Sequence, residues 1–173
     1  MLKKIWFFSL LSGVILVLSG CGNTSHFRLE TENFSWSPAL KVDLQELPAV
    51  EWNDVVYQQQ GEVDSVWDTL VLASESNPET SLAGYVQNAI NQLKTQWYTL
   101  VGEKTEKTKI KGDSAHHPAI LKTYRITHQD TTLNVAQFFV EKGNTVLMLS
   151  YASDAADHTE TFSKELSSLH LNF

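Results

Sequence analysis

The sequence predicts an α+β fold, an antiparallel β-sheet with flanking helices, from three observations. β-rich runs come in blocks, separated by two helical patterns rather than alternating with helices one for one. The strands of the second half are joined by linkers too short for a parallel crossover, so they pair antiparallel. Each helical pattern carries one apolar stripe, which needs a sheet face to cover it.

The elements follow in order. Residues 27–50, "FRLETENFSWSPALKVDLQELPAV", alternate weakly and contain Pro38 and Pro48, which predicts one or two bent edge strands, because proline donates nothing to a ladder. "EWNDVVYQQQ" (51–60) and "SVWDTLVLASES" (65–76) are β-rich, with Gly61 between them, and read as a hairpin. The second run is apolar on both faces near its end, so it belongs inside the sheet. In "SNPETSLAGYVQNAINQLKTQWY", Leu82, Tyr85, Val86, Ala89, Ile90, Leu93 and Trp97 recur at helical spacing, with Thr80 or Ser81 as the cap. "EKTEKTKIKG" (103–112) mixes Lys104, Lys107, Lys109 and Lys111 with Glu103 and Glu106, the composition of a solvated strand face or loop. "AILKTYRIT" (119–127) and "TLNVAQFFVEK" (132–142) form a hairpin, and a tight turn, with Gly143 and Asn144 able to take positive φ, leads into "TVLMLSYAS" (145–153). This predicts a three-strand meander whose last strand is buried. In "DHTETFSKELSSLHLNF", Asp157 and Glu160 have capping-box spacing, and Phe162, Leu166 and Leu169 make a narrow apolar stripe.

The N-terminus predicts a location. Lys3 and Lys4 precede an apolar run from Ile5 to Leu18. A membrane span needs roughly 20 apolar residues, whereas the core of an export signal needs only about 7–15. Leu18-Ser19-Gly20-Cys21 then resembles a bacterial lipobox, an aliphatic residue and two small ones before a cysteine. Cys21 is the single cysteine of the chain, so it has no internal disulfide partner. Its thiol is the nucleophile that takes a diacylglyceryl group, and two acyl chains suffice for stable anchoring. The expected organisation is a lipoprotein signal peptide at 1–20, a lipidated tether at 21–26 and a single domain at 27–173.

Formal net charge is −7 over 173 residues, and the leader carries two lysines and no acid. The mature chain is therefore more acidic still, which argues against nucleic acid, since phosphate binding needs clustered cations. The remaining length suits one domain with its own core.

The capped helix "ETSLAGYVQNAINQL", the Tyr124 strand, "QFFVEKGNTVLMLSYAS" and the closing "FSKELSSLHLNF" together resemble the PsbP-like and DcrB-like proteins. The likeness is carried by residues 81–173, and by element order alone at 27–75. The family's early proline-before-tryptophan landmark is reversed, with Trp36 preceding Pro38. The resemblance implies an α/β/α sandwich and a non-enzymatic binding or assembly-assisting domain, with no catalytic residues to carry over.

Four patterns bear on chemistry. Gly112-Asp113-Ser114 has the look of a hydrolase nucleophile block, but it stands mid-chain in a polar loop. His116 and His117 point to opposite faces if extended; a metal site would need His128 as well, or His26, His158 or His170. Asp154, Asp157 and Glu160 lack the alternating spacing of a calcium loop. Trp36 and Trp52 lie in the irregular first quarter and are candidates for an exposed aromatic contact surface, whereas Trp97 belongs to the helix stripe.

The expected function is that of a lipid-anchored, extracytoplasmic protein of the bacterial envelope, with palmitate-type acylation at Cys21, no catalysis, no cofactor and no resident metal. Its expected partners are the membrane, through the anchor, and an envelope protein. The candidate binding surface is Trp36, Trp52, His116, His117 and His128. Two alternatives stand beside it: an envelope hydrolase or metal-dependent enzyme using the 112–117 loop and His128, and a solute- or metal-capture lipoprotein serving a transporter.

Overall fold

The computed structural model describes residues 28–38, 44–47, 55–59, 68–76, 78, 80–95, 99–110, 116–128 and 131–172. The main sheet runs in the order β3 (Leu44–Leu47), β4 (Val55–Gln59), β5 (Asp68–Ser76), β9 (Thr145–Ser153), β8 (Thr131–Lys142), β7 (Ala119–His128), β6 (Thr99–Thr108). Every neighbouring pair is antiparallel. A second sheet has the order β1 (Leu29–Glu30), β2 (Phe34–Trp36), β10 (His170–Leu171). Between β5 and β6 the chain forms α1 (Leu82–Thr95); after β9 it forms α2 (Ala156–Glu165) and one 3₁₀ turn, Leu166–Ser168.

The sequence dictates two covered faces. Successive side chains of a strand point to opposite sides, and six consecutive residues of β8, Val135–Val140, are buried. One face of the central strands presents Ala136, Phe138, Val140, Leu147, Leu149 and Tyr151 to α2 and the small sheet. The other presents Phe139, Val146 and Met148 to Leu82, Tyr85 and Val86 of α1, and Val135 with Tyr124 and Ile126 to Ile90 and Leu93. The amphipathic spacing of α1 is thus the spacing of its contacts with the sheet. The result is the expected α/β/α arrangement, with β5 and β9 in the interior.

Local signals explain the ends. Ser81 accepts a hydrogen bond from the Gly84 N–H at 3.3 Å and so caps α1. Gly143 opens the two-residue turn between β8 and β9 with φ +56°, the glycine-first pattern that matches strand twist. Asn144 is not at positive φ, because a glycine-first turn asks for it at one position only. The basic 103–112 segment supplies the edge strand β6, and the Pro38/Pro48 region supplies β3 at the opposite edge and the small second sheet.

Two expectations are corrected. The capping box at Asp157 and Glu160 does not form: α2 begins after Ala155, so Asp157 is already inside the first turn, and the Ala155 N–H is held by Ser153 Oγ at 3.0 Å. Trp36 is not a surface aromatic. It is 1% exposed, packs edge-on against Phe162 at 5.4 Å between ring centroids, and donates its indole N–H to the Glu165 carbonyl and Ser168 Oγ. The small sheet exists to lay that ring over α2, and the buried N–H finds its acceptors there. Trp97 lies outside the described residues, beyond the end of α1.

Phe162 is enclosed by Trp36 on one side and by the stacked ring of Tyr151, 4.9 Å away, on the other. Phe162→Ala should therefore cost about 3–5 kcal/mol of unfolding free energy, read as a lowered urea midpoint with unchanged slope.

Candidate functional site

Polar groups are buried on both faces of the sheet, and each set sits where neighbouring strands bring sequence-distant residues into one row. On the α2 face the row is Arg125, Asn134, Ser153, Asp68, across β7, β8, β9 and β5. Asp68 is fully buried. Its Oδ1 accepts the Tyr151 hydroxyl proton at 2.5 Å, and its two oxygens lie 3.1 and 3.0 Å from Nδ1 of His158 in α2. A carboxylate accepts, so Nδ1 carries the hydrogen and the ring tautomer is set. His158 Nε2 makes no hydrogen bond among the described residues, and the His158 side chain is 27% exposed. Burial, and then the hydrogen bond and charge of Asp68, push the Tyr151 hydroxyl well above the ordinary tyrosine range, which keeps it a donor.

The same row fastens the start of α2. Thr159 Oγ1 donates to the Asn134 carbonyl at 3.3 Å, and Asn134 Nδ2 to the carbonyls of Ser153 and Asp154 at 3.4 Å. The cluster therefore fixes the orientation of the imidazole and ties a helix to the sheet.

On the α1 face the row is Thr105, Lys122, Gln137, Ser150, across β6, β7, β8 and β9. Lys122 is buried, donates to Thr105 Oγ1 at 3.0 Å and pairs with Glu103 at 3.2 Å; Glu103 also meets Lys94 of α1 at 2.7 Å. Tyr124 donates to Gln137 Oε1 at 3.0 Å. The hydrogen bond from Lys94 outweighs partial desolvation and, with Lys122, holds the Glu103 carboxyl below its ordinary range. These contacts cross from helix to edge strand to the next strand, and they separate the two apolar clusters under α1.

The three histidines of the expected binding surface do not converge. His116 is exposed with φ +54°, and His117 is half-buried, just before β7 begins at Ala119. His128 is the last residue of β7, and its side chain lies outside the described residues. Strand β7, Ala119–His128, spans roughly 30 Å, so His128 cannot join His116 or His117 around one ion or substrate. That removes the shared site of the hydrolase or metal-enzyme alternative. Trp52, His26 and the 112–114 block also lie outside the described residues. His170 is exposed on β10. Among the described residues no three His, Cys, Asp or Glu side chains are grouped to hold a metal ion. The residues that do assemble, Asp68, Tyr151 and His158, were missed as a group. The one available signal was an acid, Asp68, in line with Leu70 and Leu72 on one face of a strand.

No family model matches the chain, and no curated protein matches it. Solved structures do. The solution structure of cyanobacterial PsbP (CyanoP) from Synechocystis sp. PCC 6803 is similar with a TM-score of 0.60 and 17% identity, covering 92% of this chain and 99% of that one. A Pseudomonas aeruginosa protein of unknown function, PA94, is similar at TM-score 0.51 and 15% identity, over 72% of this chain and 94% of that one. LpqN, involved in cell envelope biogenesis of Mycobacterium tuberculosis, reaches TM-score 0.49 at 17% identity, over 75% and 78%. The chain therefore has the PsbP-like fold.

Two outcomes are expected. Asp68→Asn leaves either the Tyr151 or the His158 donor facing an amide, and should cost about 1–3 kcal/mol. In a double-mutant cycle with His158→Gln, the two changes should be non-additive by about 0.5–3 kcal/mol in urea unfolding. The lowered Glu103 carboxyl contributes stability that is present above its ordinary value of 4.5 and is lost as pH falls through the depressed one. The stability gap between wild type and Glu103→Gln should accordingly close in acid, measured by unfolding at stepped pH.

Proposed function

We propose that the chain is an exported bacterial envelope lipoprotein, acylated on Cys21, whose α+β domain binds or assists the assembly of an envelope protein without catalysis. The observation that carries this reading is the run Leu18-Ser19-Gly20-Cys21, placed directly after a short apolar segment and holding the chain's single thiol. A nucleophile kept at that place, in a chain with no second cysteine, serves acyl transfer rather than bridging. The polar clusters support the non-catalytic part. Their hydrogen bonds run inward, from helix to sheet, and consume the acids and donors that an active site would hold free. The acidic balance favours a protein or solute partner over nucleic acid.

Metabolic labelling with palmitate and mass analysis of native material test the anchor. The wild-type chain should start at position 21, carry the label and partition with membranes. Cys21→Ser should lose the label and retain residues 1–20. A wild-type chain with an intact leader or a bare thiol would remove the proposal. Cross-linking in native membranes tests the binding role. Turnover on envelope substrates with no partner recovered would replace it with catalysis.

A further inference from the structure

Among the described residues strand β6 closes one side of the main sheet, and one row of its backbone N–H and C=O groups has no described strand beside it. Thr99 and Val101–Lys107 are exposed. An open edge of this length is a template for another strand, and proteins usually guard it with lysines and bulges. β6 has both. A register shift lies between Val101 and Lys104, with Gly102 at φ +70°, a conformation that favours glycine. The regular, pairable part of the strand therefore runs from Lys104 to Thr108, with Glu103 at its margin.

The charges of that part have an order that a guard would not require. From 103 to 107 the residues are Glu, Lys, Thr, Glu, Lys. Thr105 lies opposite Lys122, and Glu103 bonds to α1, so Glu103, Thr105 and Lys107 face α1; Lys104 and Glu106 face the α2 side. We infer that β6 pairs antiparallel with β6 of a second copy of this chain, about a two-fold axis at Thr105. The main sheet then runs unbroken through both subunits. In that register Glu103 stands opposite Lys107 of the partner subunit and Lys104 opposite Glu106 of the partner subunit, and each pair recurs across the axis. Four opposite-charge pairs flank one threonine pair, on the correct faces.

The register is selective. A two-fold normal to the sheet keeps each side chain on its own face, so only a residue can lie on the axis, not a gap between residues. Placing Glu103, Lys104, Glu106 or Lys107 on the axis sets that charge against its own copy, which is destabilising. Thr105 alone in this stretch avoids it. The irregularity at Gly102 and Glu103 ends regular pairing at Lys104 in both subunits, so the Lys104–Glu106 pairs nearest the axis lie in the regular ladder and Glu103 stands at its end. The interface is isologous and closed, which gives a dimer and no fibre.

Sedimentation velocity of the full acylated chain in detergent, over a dilution series at low salt, tests this. The wild type should be a reversible dimer that weakens as salt screens the pairs. Glu106→Lys sets lysine against lysine twice, and Lys104→Glu sets acid against acid twice; each alone should weaken association at least about tenfold. An equal mixture of the two variants should form a heterodimer as tight as the wild type, and the doubly swapped chain should recover the homodimer. Both side chains are exposed, so far-ultraviolet circular dichroism should be unchanged in every variant. A wild type that stays monomeric at the highest soluble concentration, or a dimer indifferent to either single change, would overturn the inference. So would a mixture that fails to associate. The anchor on Cys21 is common to all the variants, so association through acyl chains or micelles would show as that same indifference.

Discussion

Strands β8 and β9 are apolar on both sides, and most of the architecture answers that requirement. A strand pair of this kind cannot leave either face to water, because each exposed leucine or phenylalanine would forfeit about 1.5–3 kcal/mol of burial. The helix α1 covers one side with Leu82, Tyr85, Val86, Ile90 and Leu93. On the other side α2 alone is short, and Phe162, Leu166 and Leu169 reach only part of the sheet. The small three-strand sheet completes the layer, contributing Leu29, Phe34 and Trp36 to the same cluster. That is why residues so weakly patterned as 28–38 are held at all: their inward side chains have nowhere better to go.

The polar interior follows a second rule, that a buried donor or acceptor must be matched. Asp68 is matched by Tyr151 and His158, and Lys122 by Glu103 and Thr105. In each case the partners come from elements far apart in the chain. The contacts therefore specify which helix lies on which face, and at what height, in a way that apolar burial does not. Removing one partner would leave the other stranded, so each set acts as a unit.

This explains what could be read from the chain and what could not. The strands β7, β8 and β9, the helix α1 and its Ser81 cap were legible because their signals are local: alternation, helical spacing, and Gly143 at a turn. The tiling of both faces was legible in outline from the double-sided strands. Trp36 misled, since a tryptophan in an irregular acidic segment looks exposed until the sheet that buries it is known. The Asp157/Glu160 spacing misled in a different way. Its residues fit a cap, but the end of β9 sets the first turn of α2 earlier. The grouping of Asp68 with His158 was invisible, because ninety residues separate them and only strand order joins them. His116, His117 and His128, close in sequence, were drawn apart for the complementary reason: a straight strand lies between them.

The strand β10 pairs with β2, and β2 with β1, so the first and last described segments of the domain share one small sheet. Force applied through the N-terminal segment would reach β1 before any other described strand, and β1 is only two residues long. It is the natural place to peel. Losing it would let out extra line and allow the domain to stand further from whatever holds its leading end, while the large sheet and both helices kept their shape. The same geometry puts anything fused after residue 172 beside the strand that opens the described domain.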